Sequence, residues 1–187
     1  MESGRQGQAT VLMSGGLDSS ACAHFLSKQG VQVRGLFINY GQAALQAETA
    51  ASRAMADFLS IPIDVCEVSN GQLFGAGELI GRNAMLIFSA LFLSRGCSDL
   101  LALGLHAGTP YYDCSDRFIN SASHLVSEIT DNRTVLATPF LTWTKQEVVS
   151  YFCEAGLPTE LSYSCELGLS PVCGRCASCL DREALLC

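Results

Sequence analysis

Apolar residues recur along this chain in short blocks that alternate between the period of a strand and that of a helix. Val11, Leu12 and Met13 form a compact apolar run that stops at Gly15-Gly16, the pattern of a buried strand entering a tight turn. Ala21 to Gln29 then carries Cys22, Phe25 and Leu26 at helical spacing, and Gly30 ends it. Val31 to Ile38 predicts a second strand, which closes a β-α-β unit with a right-handed crossover. After the turn Asn39-Tyr40-Gly41-Gln42 comes a helix whose inward stripe is read as Ala47, Ala51, Ala54 and Phe58, with Gln46, Arg53 and Asp57 opposite.

Pro62 leads into a third strand, Ile63 to Val68, and Ser69 to Gly81 lacks periodicity, so it predicts a loop over the C-terminal edge of the sheet. Gly75, Gly77 and Gly81 have the wrong spacing for a dinucleotide fingerprint. Gly81-Arg82-Asn83 opens a helix through Phe92 that contains the most apolar run, Ala84 to Leu93; it is too short to cross a bilayer and reads as a core helix. A fourth strand spans Asp99 to Gly104, a polar loop Leu105 to Cys114, a helix Ser115 to Ile129, and a fifth strand Val135 to Thr138. Thr144-Lys145-Gln146-Glu147 is a capping box, and Gly156 with Pro158 stops the helix Lys145 to Ala155. Five alternations predict a doubly wound α/β fold with a mostly parallel five-stranded sheet over residues 1–158, and a small C-terminal segment over 159–187.

The first strand-to-helix turn holds the leading candidate chemistry. Met13, Ser14, Gly15, Gly16, Leu17, Asp18, Ser19 and Ser20 combine close backbone approach, hydroxyls and N-cap residue types, Asp18 to Ser20, at a helix N-terminus, which suits a phosphate. Asp18 supplies a hard oxygen for Mg²⁺. An ordinary Gly-Gly turn uses the same residue types. A P-loop is excluded, because neither lysine, Lys28 or Lys145, follows a glycine. Lys145 in a first helical turn opposes the helix dipole by about 0.3–1 kcal/mol, which fits a bound anion as well as a solvated surface lysine.

Charge and cysteine content narrow the class. A net charge of −7 excludes broad nucleic-acid binding. Met1 to Gln8 is polar, without the apolar centre of a signal peptide, and reads as a frayed terminus of a cytoplasmic protein. In a reducing compartment clustered cysteines are metal ligands more often than disulfides. Cys165, Cys173, Cys176 and Cys179 form a C-x7-C-x2-C-x2-C set suited to a structural Zn²⁺; an iron-sulfur cluster has the same ligand count. Cys22, Cys66, Cys97, Cys153 and Cys187 stand singly and read as core or idle thiols.

The motif Ser14-Gly15-Gly16-Leu17-Asp18-Ser19 resembles the pyrophosphatase loop of enzymes that split ATP between its α and β phosphates. Together with Tyr40-Gly41-Gln42, Gly81-Arg82-Asn83, Asp113-Cys114, Thr144-Lys145-x-Glu147 and the segment Ser164 to Arg182, it is similar to the 7-cyano-7-deazaguanine synthase family of queuosine-precursor biosynthesis. That resemblance implies an ATP-dependent ligase that adenylates a 7-deazaguanine carboxylate, couples it to ammonia and dehydrates the amide to a nitrile. It implies catalytic roles for Asp18, Arg82 and Lys145, nucleotide contacts from the loop with Tyr40, Gln42, Arg82 and Asn83, and base contacts from His106, Tyr111 and Asp113. ATP, Mg²⁺ and Zn²⁺ are the expected cofactors, ammonia from solution or a partner is the expected amine, and a homo-oligomer is expected.

One segment departs from the family pattern. Where relatives read Asp-Tyr-Ser-Gly-Tyr-Pro-Asp-Cys-Arg, this chain has Thr109-Pro110-Tyr111-Tyr112-Asp113-Cys114-Ser115, two residues shorter and without the first Asp and the Arg. The departure leaves open acyl transfer to another amine, such as one on a partner protein; a separate alternative is a non-catalytic, ATP-sensing, zinc-bearing subunit, against which the intact Asp18, Arg82 and serines argue.

Overall fold

The computed structural model describes residues 7–95 and 98–185. Cys97, Cys187 and residues 1–6 of the expected frayed terminus lie outside that range. The elements run β1 (Gln8–Leu12), α1 (Leu17–Lys28), β2 (Gln32–Asn39), α2 (Leu45–Leu59), β3 (Ile63–Glu67), α3 (Arg82–Leu93), β4 (Leu100–Ala102), α4 (Asp116–Ile129), β5 (Val135–Ala137), α5 (Lys145–Glu154) and α6 (Ala177–Leu185). Short 3-10 turns occupy Tyr112–Cys114 and Thr159–Leu161.

The five strands are all parallel, in the order β3-β2-β1-β4-β5, with Val11 of β1 opposite Gly35 on one side and Ala102 on the other. Alternation along the strands makes two cores. Ala9, Val11, Met13 and Val33 pack with Cys22 and Leu26 of α1, Met55 of α2, and Val148, Val149 and Phe152 of α5. Leu36, Ile38, Leu101, Leu103 and Leu136 pack with Ile87 and Leu91 of α3 and Ile119 and Val126 of α4 on the opposite face. The chain order reverses between β1 and β4. In an open parallel sheet the crevice beyond such a reversal is where ligands sit.

Four sequence-based expectations need correction. Gln8 belongs to β1 rather than to a frayed end, since its amide donates to Asp99 Oδ2 at 2.9 Å. The N-cap of α1 is Gly16, and Asp18 to Ser20 lie inside the first turns. In α2 the buried residues are Ala51, Ser52, Met55 and Ala56, while Phe58 is 51% exposed. The stripe is turned because Ala51 and Ser52 meet the backbone of Gly15, and Ser52 Oγ satisfies itself by donating to Thr49 O at 3.0 Å. Helix α3 is buried only at Asn83, Ile87, Ala90 and Leu91; it covers one sheet face and leaves Phe92 82% exposed.

The capping box of α5 forms as expected: Thr144 Oγ1 accepts from the Glu147 amide at 3.2 Å, and Glu147 Oε2 accepts from the Thr144 amide at 2.7 Å. Those contacts with Thr144 hold the Glu147 carboxyl below the usual carboxylate range. A folded-state proton affinity lowered this way stabilises above the unfolded value and is lost as pH falls through the folded one. Thr144→Ala is expected to cost about 1 kcal/mol in urea unfolding at neutral pH, and its gap to the parent is expected to narrow in acid.

Candidate active site

A cavity of about 500 Å³ opens at the C-terminal ends of β1, β2 and β4. Its floor is the turn after β1. Gly15 has φ +76°, and a Cβ there would strike Ser52 N and lie 2.7 Å from Ala51. From the other side Gly104, just after β4, lies against the Asp18 backbone; a Cβ on it would run into Asp18 O. Gly16 offers no side chain as N-cap, so the first amides of α1 carry no cap and face the cavity mouth as anion donors. The hydroxyl of Ser19 accepts from the Ser14 amide at 3.2 Å and lies 3.3 Å from Ser14 Oγ. Ser20 donates to Gly16 O at 2.8 Å and is turned into the core.

Asp18 and Lys145 meet across this floor. Lys145 Nζ is 2.7 Å from both Asp18 oxygens, each side chain being roughly a quarter exposed (28% for Asp18, 22% for Lys145). The anion that offsets the misplaced helix-dipole cation is therefore the Asp18 carboxylate in the first turn of α1.

A second polar group lies beyond β2. Gln42 Oε1 accepts from the Tyr40 amide at 3.0 Å, and its Nε2 is 3.2 Å from both Ile38 O and Glu48 Oε2. Burial pushes the Glu48 carboxyl up, opposed by the Gln42 contact and the Arg82 charge. Burial likewise raises the Tyr40 hydroxyl, with the Arg82 guanidinium beside it pulling the other way. Arg82 lines the cavity because Gly81, with φ +78°, turns the chain into α3 one residue earlier.

Asn83 and Asp113 hold each other. The Asn83 amide donates to Asp113 Oδ2 at 2.9 Å, and Asn83 Nδ2 donates to Asp113 O at 2.9 Å and to Cys114 Sγ at 3.3 Å. This clasp ties the start of α3 to the 3-10 turn after β4. Burial, then the Asp113 charge, raises the Cys114 thiol, so it stays protonated at neutral pH.

The tail forms the remaining wall. Tyr163 N donates to Gly15 O at 3.0 Å, and Gly168, with φ +67°, lies against the Ala43 and Ala44 backbone. Arg182 donates to Ser162 Oγ at 2.8 Å and to Thr159 O at 2.6 Å. The sulfurs of Cys165, Cys173, Cys176 and Cys179 all lie within 4.8 Å of one another, and the Cys173 and Cys179 sulfurs are 3.8 Å apart. Although burial works against a Cys165 thiolate, amides of Cys173, Leu169 and Leu167 bring it down to about 6. Burial and the neighbouring thiols hold Cys179 up at about 12. Four thiols this close repel one another as thiolates unless a cation sits among them, so the set is suited to a metal ion.

Of the expected residues, Met13, Ser14, Gly16, Leu17, Asp18, Ser19, Tyr40, Gln42, Arg82, Asn83, His106, Tyr111 and Lys145 line the cavity together. Gly15, Ser20 and Asp113 do not. Glu48 and the tail residues Tyr163, Ser164, Glu166, Ser178, Asp181 and Arg182 also line it, none of them expected from the sequence as cavity residues. Helix α6 was also missed; its single buried residue, Cys179, leaves no apolar stripe to detect.

The family model described as "Queuosine biosynthesis protein QueC" matches residues 8–87 and 78–186, nearly all of the chain. The chain belongs to the QueC family. Curated relatives carrying the name 7-cyano-7-deazaguanine synthase include one from Synechococcus, 30% identical over 97% of this chain and 93% of its own length. The 7-cyano-7-deazaguanine synthase 1 of Sulfurisphaera tokodaii is 28% identical over 94% of this chain and 91% of its own. Among solved structures, a 4-thiouridine synthetase in complex with RNA and ATP superposes with a TM-score of 0.58 at 19% identity, over 80% of this chain and 41% of that one. The U34-tRNA thiolase NcsA of Methanococcus maripaludis, solved with its [4Fe-4S] cluster, gives 0.57 at 15%, over 90% and 64%. These two likenesses support the fold alone. No helix among the described residues of this QueC family chain is long and apolar enough to cross a membrane.

Because the Asp113 carboxylate serves the Asn83 amide in the first turn of α3, Asp113→Ala is expected to cost about 1–3 kcal/mol in urea unfolding while ATP affinity, read by calorimetry, holds. Lost ATP affinity at unchanged stability would instead put Asp113 at the ligand.

Proposed function

We propose that this QueC family member is an ATP-dependent ligase that converts a 7-carboxy-7-deazaguanine to the nitrile through an amide. The observation that carries the reading is the convergence of the uncapped α1 amides, Asp18, Lys145 and Arg82 on one cavity at the sheet's switch point. A carboxylate is a poor acceptor of nucleophiles. Its oxygen attacks the α-phosphorus of ATP and expels pyrophosphate; ammonia adds to the acyl carbon, loses a proton and expels AMP. The amide oxygen is then adenylated by a second ATP and leaves as AMP, with the two amide protons released.

In that scheme Ser14, Ser19 and the first α1 amides hold the departing pyrophosphate, and Arg82 balances the charge that builds on it. Asp18 is the residue to hold Mg²⁺, which neutralises polyphosphate charge. Without metal its carboxylate accepts from Lys145, and that lysine is the residue proposed to turn to the phosphates. His106 and Tyr111 are the proposed contacts to the base, whereas Asp113 supports the wall behind them.

Zn²⁺ is the proposed occupant of the tail. A tetrahedral four-thiolate site with Zn–S of about 2.3 Å puts its sulfurs ~3.8 Å apart, in keeping with the 3.8 Å between Cys173 and Cys179. A four-iron cluster takes one thiolate at each separate iron and spreads them wider. The exposed Phe92 and Val68 beside an apolar groove support the homo-oligomer.

A second reading keeps the adenylation and ends at an amide with another amine. The shortened 109–115 segment favours it, because Thr109, Pro110 and Tyr111 line the cavity where an acceptor would approach.

Incubation with ATP, 7-carboxy-7-deazaguanine and ammonium is expected to yield nitrile by mass spectrometry, with AMP and pyrophosphate each in twofold excess over it. Asp18→Asn and Arg82→Ala are each expected to lower kcat/KM by about 10²–10³ without unfolding the chain. Absence of AMP release with the parent chain would overturn the reading. Elemental analysis is expected to find about one zinc per chain, lost in Cys173→Ser together with protection of the tail from protease.

A further inference from the structure

Four carboxylates line the cavity, and three are already accounted for. Asp18 is clasped by Lys145, Glu166 Oε1 accepts from the amide and hydroxyl of Ser178 at 3.2 and 3.0 Å, and Asp181 is solvent-exposed. Glu48 differs. Its Oε2 takes a hydrogen bond from Gln42, no hydrogen bond reaches Oε1 among the described residues, and Arg82 acts on it without closing an ion pair.

The Gln42 side chain cannot swing away, because the Tyr40 amide and Ile38 carbonyl fix both of its ends. Glu48 is thus a half-buried carboxylate with one oxygen held by Gln42 and the other left open at the cavity wall. A ligand that brings donors to that open oxygen displaces water from it and gains charge-assisted hydrogen bonds.

We propose that Glu48 is the residue that selects the heterocycle: it accepts the ring N–H and the adjacent amino group of a 2-amino-lactam base. This rests on the 7-deazaguanine reading above. Such a base offers two neighbouring donors, which a carboxylate matches with two acceptors. The adenine of ATP offers an amino group beside a ring-nitrogen lone pair, and that lone pair repels a carboxylate oxygen. One acidic side chain thereby sorts two purine-like rings that enter the same cavity.

The test compares the parent chain with Glu48→Gln and Glu48→Asp, using 7-carboxy-7-deazaguanine and its counterpart lacking the 2-amino group as calorimetric probes, each alone and with ATP. The parent is expected to prefer the 2-amino acid by at least ~10-fold. Glu48→Gln, whose amide still meets Gln42 but opposes the ring N–H, is expected to lose that preference and raise KM for the acid ~10–100-fold, with ATP affinity and melting temperature unchanged. Glu48→Asp, which keeps the charge one carbon further back, is expected to retain part of the preference. An undiminished preference in Glu48→Gln overturns the assignment, as does a selective loss of ATP affinity. A parent chain that binds the acid with the 2-amino preference but releases no AMP would sink the ligase reaction and leave the recognition by Glu48 standing.

Discussion

The site exists because two side chains are missing where backbones meet. Gly15 lets the turn after β1 touch α2 at Ala51 and Ser52, and Gly104 lets the end of β4 touch the same turn at Asp18. A methyl group at either place would push the turn away from the crevice between β1 and β4, carrying the first amides of α1 with it. Everything charged in the cavity is measured from that turn: Lys145 reaches it across α1, and Tyr163 fastens the tail to its carbonyl. The dependence runs in both directions, since the tail has one buried residue in its helix and needs the turn as an anchor.

The pairing of Asp18 with Lys145 shows how a site can carry opposed charges before any ligand arrives. A lysine in a first helical turn is unfavourable by itself, and a carboxylate among helix N-terminal amides is favourable; joined, each charge meets its opposite. In the proposed reaction, an arriving polyphosphate with its metal would find both partners in place and change which charge each one meets. The capping box at Thr144 and Glu147 does not use the Lys145 side chain, which is free to pair with Asp18 instead.

How much of this was legible depends on what kind of signal each residue leaves. The sheet and five helices could be read because apolar period and capping chemistry act locally, and Thr144 with Glu147 even marks the first residue of α5. The α2 stripe was read one position out because Ala and Ser occupy several of its faces, and only contact with the Gly15 backbone decides which face is inside. The four cysteines announced themselves by spacing, yet spacing says nothing of where a knuckle docks, so the tail's place as a wall of the cavity was not foreseen. Glu48 left no sign at all: a glutamate in the first turns of a helix is an ordinary surface residue until Gln42, fixed by β2, holds it inward.

The shortened segment after β4 can now be divided by what holds it. Tyr112–Cys114 is fastened to α3 through Asn83 and Asp113, and that clasp sets the entry of the helix that carries Arg82. Thr109, Pro110 and Tyr111 face the cavity without such a clasp. The segment thus has a part that fixes the entry of α3 and a part that lines the cavity. The division is the one expected if activation of the acyl group is retained and the choice of acceptor is what the loop adjusts.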